Sequence, residues 1–219
     1  MSQKTLGLIH TSATLVPVFA ELCSKYLPDV KTFNIVDDSL IKNTIARGEL
    51  TADTSRRVVN YAGSAQEAGA DYILFTCSSI GPAVEVAAAL TNVPVLRVDQ
   101  PMADTAVQIG KKIGVIATLS TTLNPTSDLV KRRAAVAGKE IELKSLLCEG
   151  AFEALMSGDG ATHDKKVGDA LKQLANEVDV IVLAQASMAR VVDTLTEEEK
   201  KVPILASPPV AMEYLATIL

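Results

Sequence analysis

Short apolar segments alternate with longer amphipathic stretches along the whole of this 219-residue chain. The apolar segments have the length of strands and are rich in β-branched residues, which is typical of strands buried on both faces of a sheet. They predict strands near residues 5–10, 31–37, 71–77, 94–98, 112–118, 140–146, 179–185 and 203–206. Helical periodicity predicts helices over 16–26, 39–69 (one or two, broken near Gly48), 82–91, 102–110, 126–137, 150–177, 189–200 and 209–218.

The second half of the chain repeats the first. Three segments have counterparts in the same order, 107–109 residues further on: Lys4–Thr11 with Lys111–Thr118, Asp71–Phe75 with Asp179–Leu183, and Val93–Leu96 with Val202–Leu205. Repetition at one nearly constant offset indicates a duplicated structural unit. The chain is therefore predicted to contain two copies of one supersecondary arrangement.

The alternation of strands and helices predicts an α/β fold, because such units build parallel sheets with right-handed crossovers. One four-stranded parallel sheet flanked by helices is expected for each repeat. The first lobe is predicted over residues 1–100 and the second over 101–207. The C-terminal helix, 208–219, is predicted to join the first lobe.

Composition and charge narrow the function classes. The net charge is −5 and no basic stripe occurs, which disfavours binding to nucleic acid. No apolar run reaches the ~18–20 residues that span a bilayer, so no membrane association is predicted. The three cysteines are widely spaced and form no CxxC motif. They indicate free thiols in a reducing, cytoplasmic compartment, without a disulfide framework or a metal site.

Ligands of open parallel sheets bind beyond the carboxyl ends of the strands. The residues that follow these strands are mostly hydroxyl side chains at the starts of predicted helices, together with one thiol and one amide. Helix N-termini with hydroxyl groups suit a small carboxylate, because they offer unpaired N–H donors. No G-x-G-x-x-G or Walker A motif follows any strand, so no nucleotide cofactor is predicted.

Cys77 is the most reactive candidate among these groups. It lies at the end of the third strand, beside a predicted helix N-terminus, a position that favours the thiolate as a base or a nucleophile. The alternative is a small buried hydrophobic residue. Cys23 is predicted to lie in the core and Cys148 to be structural. The duplication pairs Cys77 with Gln185, so the second lobe lacks a matching thiol.

These features together resemble the aspartate/glutamate/hydantoin racemase superfamily over essentially the whole chain. The resemblance rests on the duplicated Gly-apolar-Ile-x-Thr strand, on Leu74–Ser79, on Leu183–Met188, and on the Val-Pro-apolar segments before strands four and eight. It implies two Rossmann-like lobes with the site in the cleft between them and no cofactor. Racemases of the family use two opposed cysteines, one per lobe. Cys77 matches the first position, and Gln185 occupies the second.

The same resemblance implies a set of groups that bind the substrate carboxylate. These candidates are Thr11, Ser12, Ser78, Ser79, Thr118, Ser120, Thr121, Ala186 and Ser187. His10 ends the first strand and is a candidate for the second acid or base, the alternative being a structural, hydrogen-bonded histidine. His163 is expected at the surface. Asp99 is expected to cap the following helix or to lie at the edge of the cleft.

The sequence thus predicts a cofactor-independent racemase or isomerase of a small carboxylic acid, with Cys77, Gln185 and His10 as catalytic candidates. Two alternatives remain at this point. One is a single-thiol lyase such as a malonate-type decarboxylase, since relatives of the family include arylmalonate decarboxylase and maleate isomerase. The other is a non-catalytic carboxylate-binding protein. The resemblance also implies a homo-oligomer, as a dimer or a larger assembly.

Overall fold

Two separate four-stranded parallel sheets form the framework of the computed structural model, which describes residues 3–219. The strands of the first sheet are β1 Thr5–His10, β2 Lys31–Val36, β3 Tyr72–Phe75 and β4 Val95–Arg97, in the order β2-β1-β3-β4. Those of the second are β5 Lys112–Ala117, β6 Glu142–Leu147, β7 Val180–Leu183 and β8 Ile204–Ala206, in the order β6-β5-β7-β8. The predicted α/β fold with two equivalent sheets is confirmed.

Ten helices connect and cover the strands in the described part of the chain. They are α1 Leu15–Tyr26, α2 Ser39–Arg47, α3 Ala52–Glu67, α4 Gly81–Leu90, α5 Gln100–Ile109, α6 Ser120–Val136, α7 Ala151–Met156, α8 Gly160–Leu174, α9 Ala189–Val192 and α10 Ser207–Ala216. The break expected near Gly48 is present. Gly48 ends α2 with φ of 70°, a left-handed conformation that glycine adopts without steric cost.

The outer strands β2 and β6 differ from the expectation of strands buried on both faces. No residue of β2 or β6 is fully buried, and their side chains are exposed or half-buried. Each pairs on one side only, with β1 and β5 respectively. The central strands β3 and β7 are also shorter than predicted. The ends of the segments 71–77 and 179–185 lie outside the hydrogen-bonded strands.

Three predicted helices have different bounds in the structure. The helix expected over 150–177 is broken at Gly158, which has φ of 86°, and α8 restarts beyond Asp159, whose side chain accepts a hydrogen bond from the Thr162 N–H. The helix expected at 126–137 begins six residues earlier, at Ser120, and contains Pro125. The helix expected over 189–200 ends at Val192.

The chain divides into two compact units. The first unit comprises the chain up to Gln100 together with Pro208–Leu219, and the second unit comprises Pro101–Ser207. In the first unit, α10 packs Ala211, Met212 and Leu215 against a face of the sheet that includes Leu6 and Leu8. Among residues 3–219, no helix has both the length and the apolar character needed to cross a membrane.

The glycine of the duplicated strand motif has a packing role in both units. A methyl group at Gly114 in β5 would lie 2.6 Å from Leu174 Cδ2 and 2.9 Å from its Cγ. A methyl group at Gly7 in β1 would lie 3.0 Å from Phe33 Cζ and 3.3 Å from Ala70 Cβ. Each central strand therefore lacks a side chain where neighbouring side chains approach its backbone most closely.

We predict that Gly114→Ala destabilises the protein by about 1–3 kcal/mol, because the added methyl group overpacks the contact with Leu174. Gly63 in α3 is a matched control, since a methyl group there meets no atom within 4 Å. Gly63→Ala should stabilise the protein by roughly 0.5–1 kcal/mol through helix propensity. Urea unfolding of both variants measures the difference, and equal stabilities would contradict the packing argument.

Candidate active site

Cys77 is the accessible residue of an otherwise buried segment in the first unit. The segment leaves β3 at Phe75, passes through Cys77 in an extended conformation, and forms one 3₁₀ turn over Ser78–Ile80 before α4 begins at Gly81. Thr76 and all residues of the 3₁₀ turn are buried, whereas Cys77 is half-buried. The fold thus holds the thiol at the carboxyl edge of the sheet while leaving it partly open.

The other two cysteines have a different environment. Cys23 in α1 and Cys148 after β6 are both 6 % exposed. Burial raises the pKa of the Cys23 thiol to about 11. It raises the pKa of the Cys148 thiol to about 11 as well, against a small opposing effect of Lys166. Both residues are therefore protonated and shielded at neutral pH, as expected of buried thiols.

His10 uses both ring nitrogens inside the first unit. Its Nε2 lies 2.8 Å from Asn34 Oδ1, and its Nδ1 lies 2.9 Å from Thr76 Oγ1. The ring is completely buried, and burial lowers its pKa, only partly opposed by the hydrogen bond with Asn34. A neutral ring that donates through Nε2 to the Asn34 carbonyl leaves Nδ1 to accept from the Thr76 hydroxyl, which also lies 3.2 Å from the Ile9 carbonyl oxygen as a donor. His10 is therefore hydrogen-bonded to Thr76, the residue that precedes Cys77.

Gln185 has the position in the second unit that Cys77 has in the first. It follows β7, has φ of −133° and ψ of 138° against −132° and 122° for Cys77, and precedes a 3₁₀ turn over Ala186–Met188. Gln185 Oε1 accepts hydrogen bonds from the Thr118 backbone N–H at 2.6 Å and from the Thr118 Oγ1 at 3.0 Å. With its oxygen held in this way, the amide presents N–H donors, and it has no proton-accepting group to offer.

The residues predicted to bind the substrate carboxylate lie at the carboxyl edges of their own sheets. In the first unit Thr11 and Ser12 follow β1, and Ser78 and Ser79 follow its neighbour β3. In the second unit Thr118, Ser120 and Thr121 follow β5, and Ala186 and Ser187 follow its neighbour β7. Within each unit, adjacent strands therefore bring the candidates of that unit together.

Thr121 is distinctive among these candidates. Its Oγ1 is buried and has no hydrogen-bond partner among the described residues. Pro125 stands four residues later inside α6 and has no N–H to donate to the Thr121 carbonyl. Unpaired buried polar groups are costly, and they occur preferentially where a ligand or water completes them. Ser12, in contrast, pairs with Thr14 through their hydroxyl oxygens at 2.7 Å.

The expectation that His163 lies at the surface is wrong. Its side chain is completely buried in the first turn of α8, on the same face as Val167, Leu171 and Leu174. Its Nδ1 lies 2.7 Å from Asp164 Oδ1, and that oxygen also lies 2.8 Å from Arg190 Nη2. Its Nε2 has no partner among the described residues. The polar residues on either side of His163 in the sequence are typical of an exposed segment, and they led to the wrong expectation.

Asp99 is completely buried and forms an ion pair with Arg97, the last residue of β4. This pair was not identified from the sequence, since a charged residue at the end of a short strand indicates a solvated edge. Among residues 3–219, no group of three or more His, Cys, Asp and Glu side chains is placed to hold a metal ion.

The fold and the strand-end groups define an α/β protein of two equivalent units, with a thiol at the edge of one sheet and an amide at the same place in the other. The sequence model of the Asp/Glu/Hydantoin racemase family matches residues 6–215, and the chain belongs to this family. Membership places the chain among the racemases, a class of isomerases. No protein of curated function matches the chain in sequence.

Solved structures share the fold at low identity. A candidate Asp/Glu racemase from Yersinia pestis is 20 % identical with a TM-score of 0.78, and the match covers 98 % of each chain. The glutamate racemase RacE1 from Bacillus anthracis is 19 % identical with a TM-score of 0.73, over 100 % of this chain and 82 % of its own. An aspartate racemase from Picrophilus torridus is 15 % identical with a TM-score of 0.73, over 98 % and 94 %.

We predict that iodoacetamide at pH 8 modifies Cys77 selectively in the folded protein. Cys23 and Cys148 should react only after unfolding in urea, because burial keeps both thiols protonated and inaccessible. Peptide mapping by mass spectrometry locates the label, and Cys77→Ser is the control that should take up none. Labelling of Cys23 or Cys148 at the rate of Cys77 would contradict the structure.

We predict that His10 makes folding stability pH-dependent on the acid side. Burial lowers the folded-state pKa of His10 below the ordinary value of 6.5. The unfolded state therefore binds more protons as pH falls, and stability is fully present above pH ~6.5 and lost progressively below it. His10→Gln should show a flatter dependence of unfolding free energy on pH between pH 7 and 5. Parallel curves for the two proteins would exclude this contribution.

Proposed function

We propose that the chain is a cofactor-independent racemase or isomerase of a small carboxylic acid, in which Cys77 exchanges a proton with the α-carbon. The observation that carries this proposal is the environment of Cys77: a half-buried thiol in a segment of buried residues, at a strand end that leads into a helix N-terminus. A fixed, partly desolvated thiol at this position suits proton transfer, a step that commonly contributes ~10²–10⁴-fold to the rate.

The strand-end hydroxyls and amides would hold the substrate carboxylate. Removal of the α-proton places negative charge on the carboxylate oxygens, and preorganised N–H and O–H donors stabilise that charge most strongly in the transition state. Gln185 supports this role, because Thr118 fixes its oxygen and leaves its N–H donors for a ligand. Thr121 supports it through its buried, unpaired hydroxyl.

The second proton-transfer group differs from the thiol of a two-cysteine racemase. Gln185 stands at the matching position, and an amide does not exchange protons at neutral pH. We favour a water molecule as the group that serves the opposite face of the α-carbon. His10 is less suited to that role, since Asn34 and Thr76 occupy both of its ring nitrogens.

A single-thiol lyase is the second candidate, and the presence of Gln185 at the position equivalent to Cys77 favours it. Loss of carbon dioxide from a malonate-type diacid needs one proton delivered to one face of a carbanion, and one thiol suffices for that step. Release of carbon dioxide from arylmalonates, measured beside racemisation of amino acids, separates the two reactions. Binding of carboxylates with neither activity would indicate the non-catalytic alternative.

We predict that Cys77→Ser lowers α-proton exchange by about 10²-fold or more while ligand binding persists, because serine is far less acidic than a thiol. Exchange is followed by NMR in deuterium oxide with aspartate, glutamate and hydantoin as probes, since the family name spans these substrates. Cys23→Ala, a change in the buried face of α1, is the control and should retain activity. Undiminished exchange in Cys77→Ser would overturn the role of the thiol.

A further inference from the structure

A buried ion pair lies at the end of β4 in the first unit. Arg97 Nε lies 2.7 Å from Asp99 Oδ1, and its Nη2 lies 2.8 Å from Asp99 Oδ2, so the guanidinium binds the carboxylate through two parallel hydrogen bonds. Arg97 Nη1 lies 2.5 Å from Glu85 Oε1 in α4. Arg97 is 1 % exposed and Asp99 is completely buried. The side chain is thus held in a single orientation by acceptors from two elements.

The guanidinium of Arg97 lies directly against the backbone of Gly81, the first residue of α4. A methyl group at Gly81 would lie 2.7 Å from Arg97 Nε and closer still to its Cζ and Nη2 atoms. Only a residue without a Cβ fits at this position. Because Gly81 ends the 3₁₀ turn that follows Cys77, the buried arginine supports the end of the thiol-bearing segment.

The second unit has the same backbone without this support. Its strand register pairs Leu183 with Ala206, as the first unit pairs Phe75 with Arg97. Its 3₁₀ turn over Ala186–Met188 leads into α9 at Ala189, the counterpart of Gly81. The glycine and the arginine of the first unit are therefore both alanine in the second. The two features occur together, in the unit that carries the thiol.

Stability alone is a poor explanation for the buried arginine. Burial lowers the pKa of the guanidinium, and pairing with Asp99 and Glu85 more than reverses this effect, so Arg97 stays charged. Buried ion pairs seldom stabilise a fold more than apolar residues of similar volume, since desolvation offsets the attraction. The planar guanidinium does fix geometry, because its donors are rigidly arranged.

We propose that Arg97, held by Asp99 and Glu85, is a positioning residue that fixes the backbone between Thr76 and Gly81 and thereby the orientation of the Cys77 thiol. The inference rests on the proposed catalytic role of Cys77. Misplacement of a reacting group by about 1 Å can cost ~10²-fold in rate without loss of substrate binding. Loss of the arginine should therefore lower kcat and leave KM nearly unchanged.

A double-mutant cycle tests the contact with Gly81. Gly81→Ala should lower the thermal midpoint by several degrees, because the methyl group meets the guanidinium. In the Arg97→Ala background, the same change reproduces the Ala189 and Ala206 pair of the second unit and should have little effect. The loss of Arg97 as a partner of Asp99 is common to both proteins of that background, so its cost cancels. Additive midpoint shifts would show that the two residues do not interact.

The positioning role is tested with Arg97→Met combined with Asp99→Asn, which removes both buried charges and keeps side-chain volume. We expect kcat to fall roughly 10- to 100-fold with KM changed by less than about twofold. The iodoacetamide rate of Cys77 as a function of pH should also change, and this readout does not depend on any substrate. Arg97→Lys should restore part of kcat, because a single ammonium replaces the planar donors incompletely.

The matched control is the ion pair of Arg133 and Asp104 in the second unit. Arg133 lies in the last turn of α6, and its Nε is 2.5 Å from Asp104 Oδ1 in α5. Arg133→Met with Asp104→Asn should change neither kcat nor the Cys77 alkylation profile. If the folded Arg97 and Asp99 variant matches this control in both readouts, the positioning role is wrong. If the Arg97 and Asp99 variant changes the alkylation profile of Cys77 while Cys77→Ser remains active, the positioning role is correct and the proposed function is wrong.

Discussion

Parallel pairing is the constraint on which the rest of this structure depends. Strands that run in the same direction place all of their carboxyl ends, and the starts of the helices that follow, along one edge of the sheet. In each unit this edge gathers side chains that lie far apart in sequence, such as Ser12 and Ser78 in the first unit or Thr118 and Gln185 in the second. The core residues of the strands only need to be apolar, so the edge is free to vary in chemistry.

The two units carry chemically different side chains at equivalent positions of the same backbone. Cys77 and Gln185 have nearly the same dihedral angles and are followed by the same 3₁₀ turn. One is a half-buried thiol, and the other is an amide whose oxygen Thr118 holds. A thiol transfers protons and an amide donates hydrogen bonds, so the two edges are suited to different parts of a reaction. The duplication thus left two equivalent backbone positions with different side chains.

The sequence was sufficient for the architecture because repetition and apolar periodicity are properties of single elements. The duplicated Gly7 and Gly114 segments, the break at Gly48 and the position of Cys77 between a strand and a helix could all be located from neighbours in sequence. The burial of polar residues could not be predicted from neighbours in sequence, because it depends on partners supplied by other elements. His163 is flanked by Thr162 and Asp164 and was expected at the surface, yet α8 turns it toward the sheet. The edge position of β2 and β6 depends in the same way on strand order.

Arg97 is another polar residue whose burial could not be predicted from its neighbours in sequence. In the first unit Gly81 leaves room for the Arg97 guanidinium, whereas the corresponding residues of the second unit are Ala189 and Ala206. An alanine at position 81 would clash with the guanidinium. The two positions are therefore coupled through one contact, although 16 residues separate them in sequence. A unit that carries the arginine must accept a buried charge together with the carboxylates that neutralise it. The first unit has this combination beside the segment that carries Cys77, whereas in the second unit the Gln185 amide oxygen is held by hydrogen bonds from Thr118.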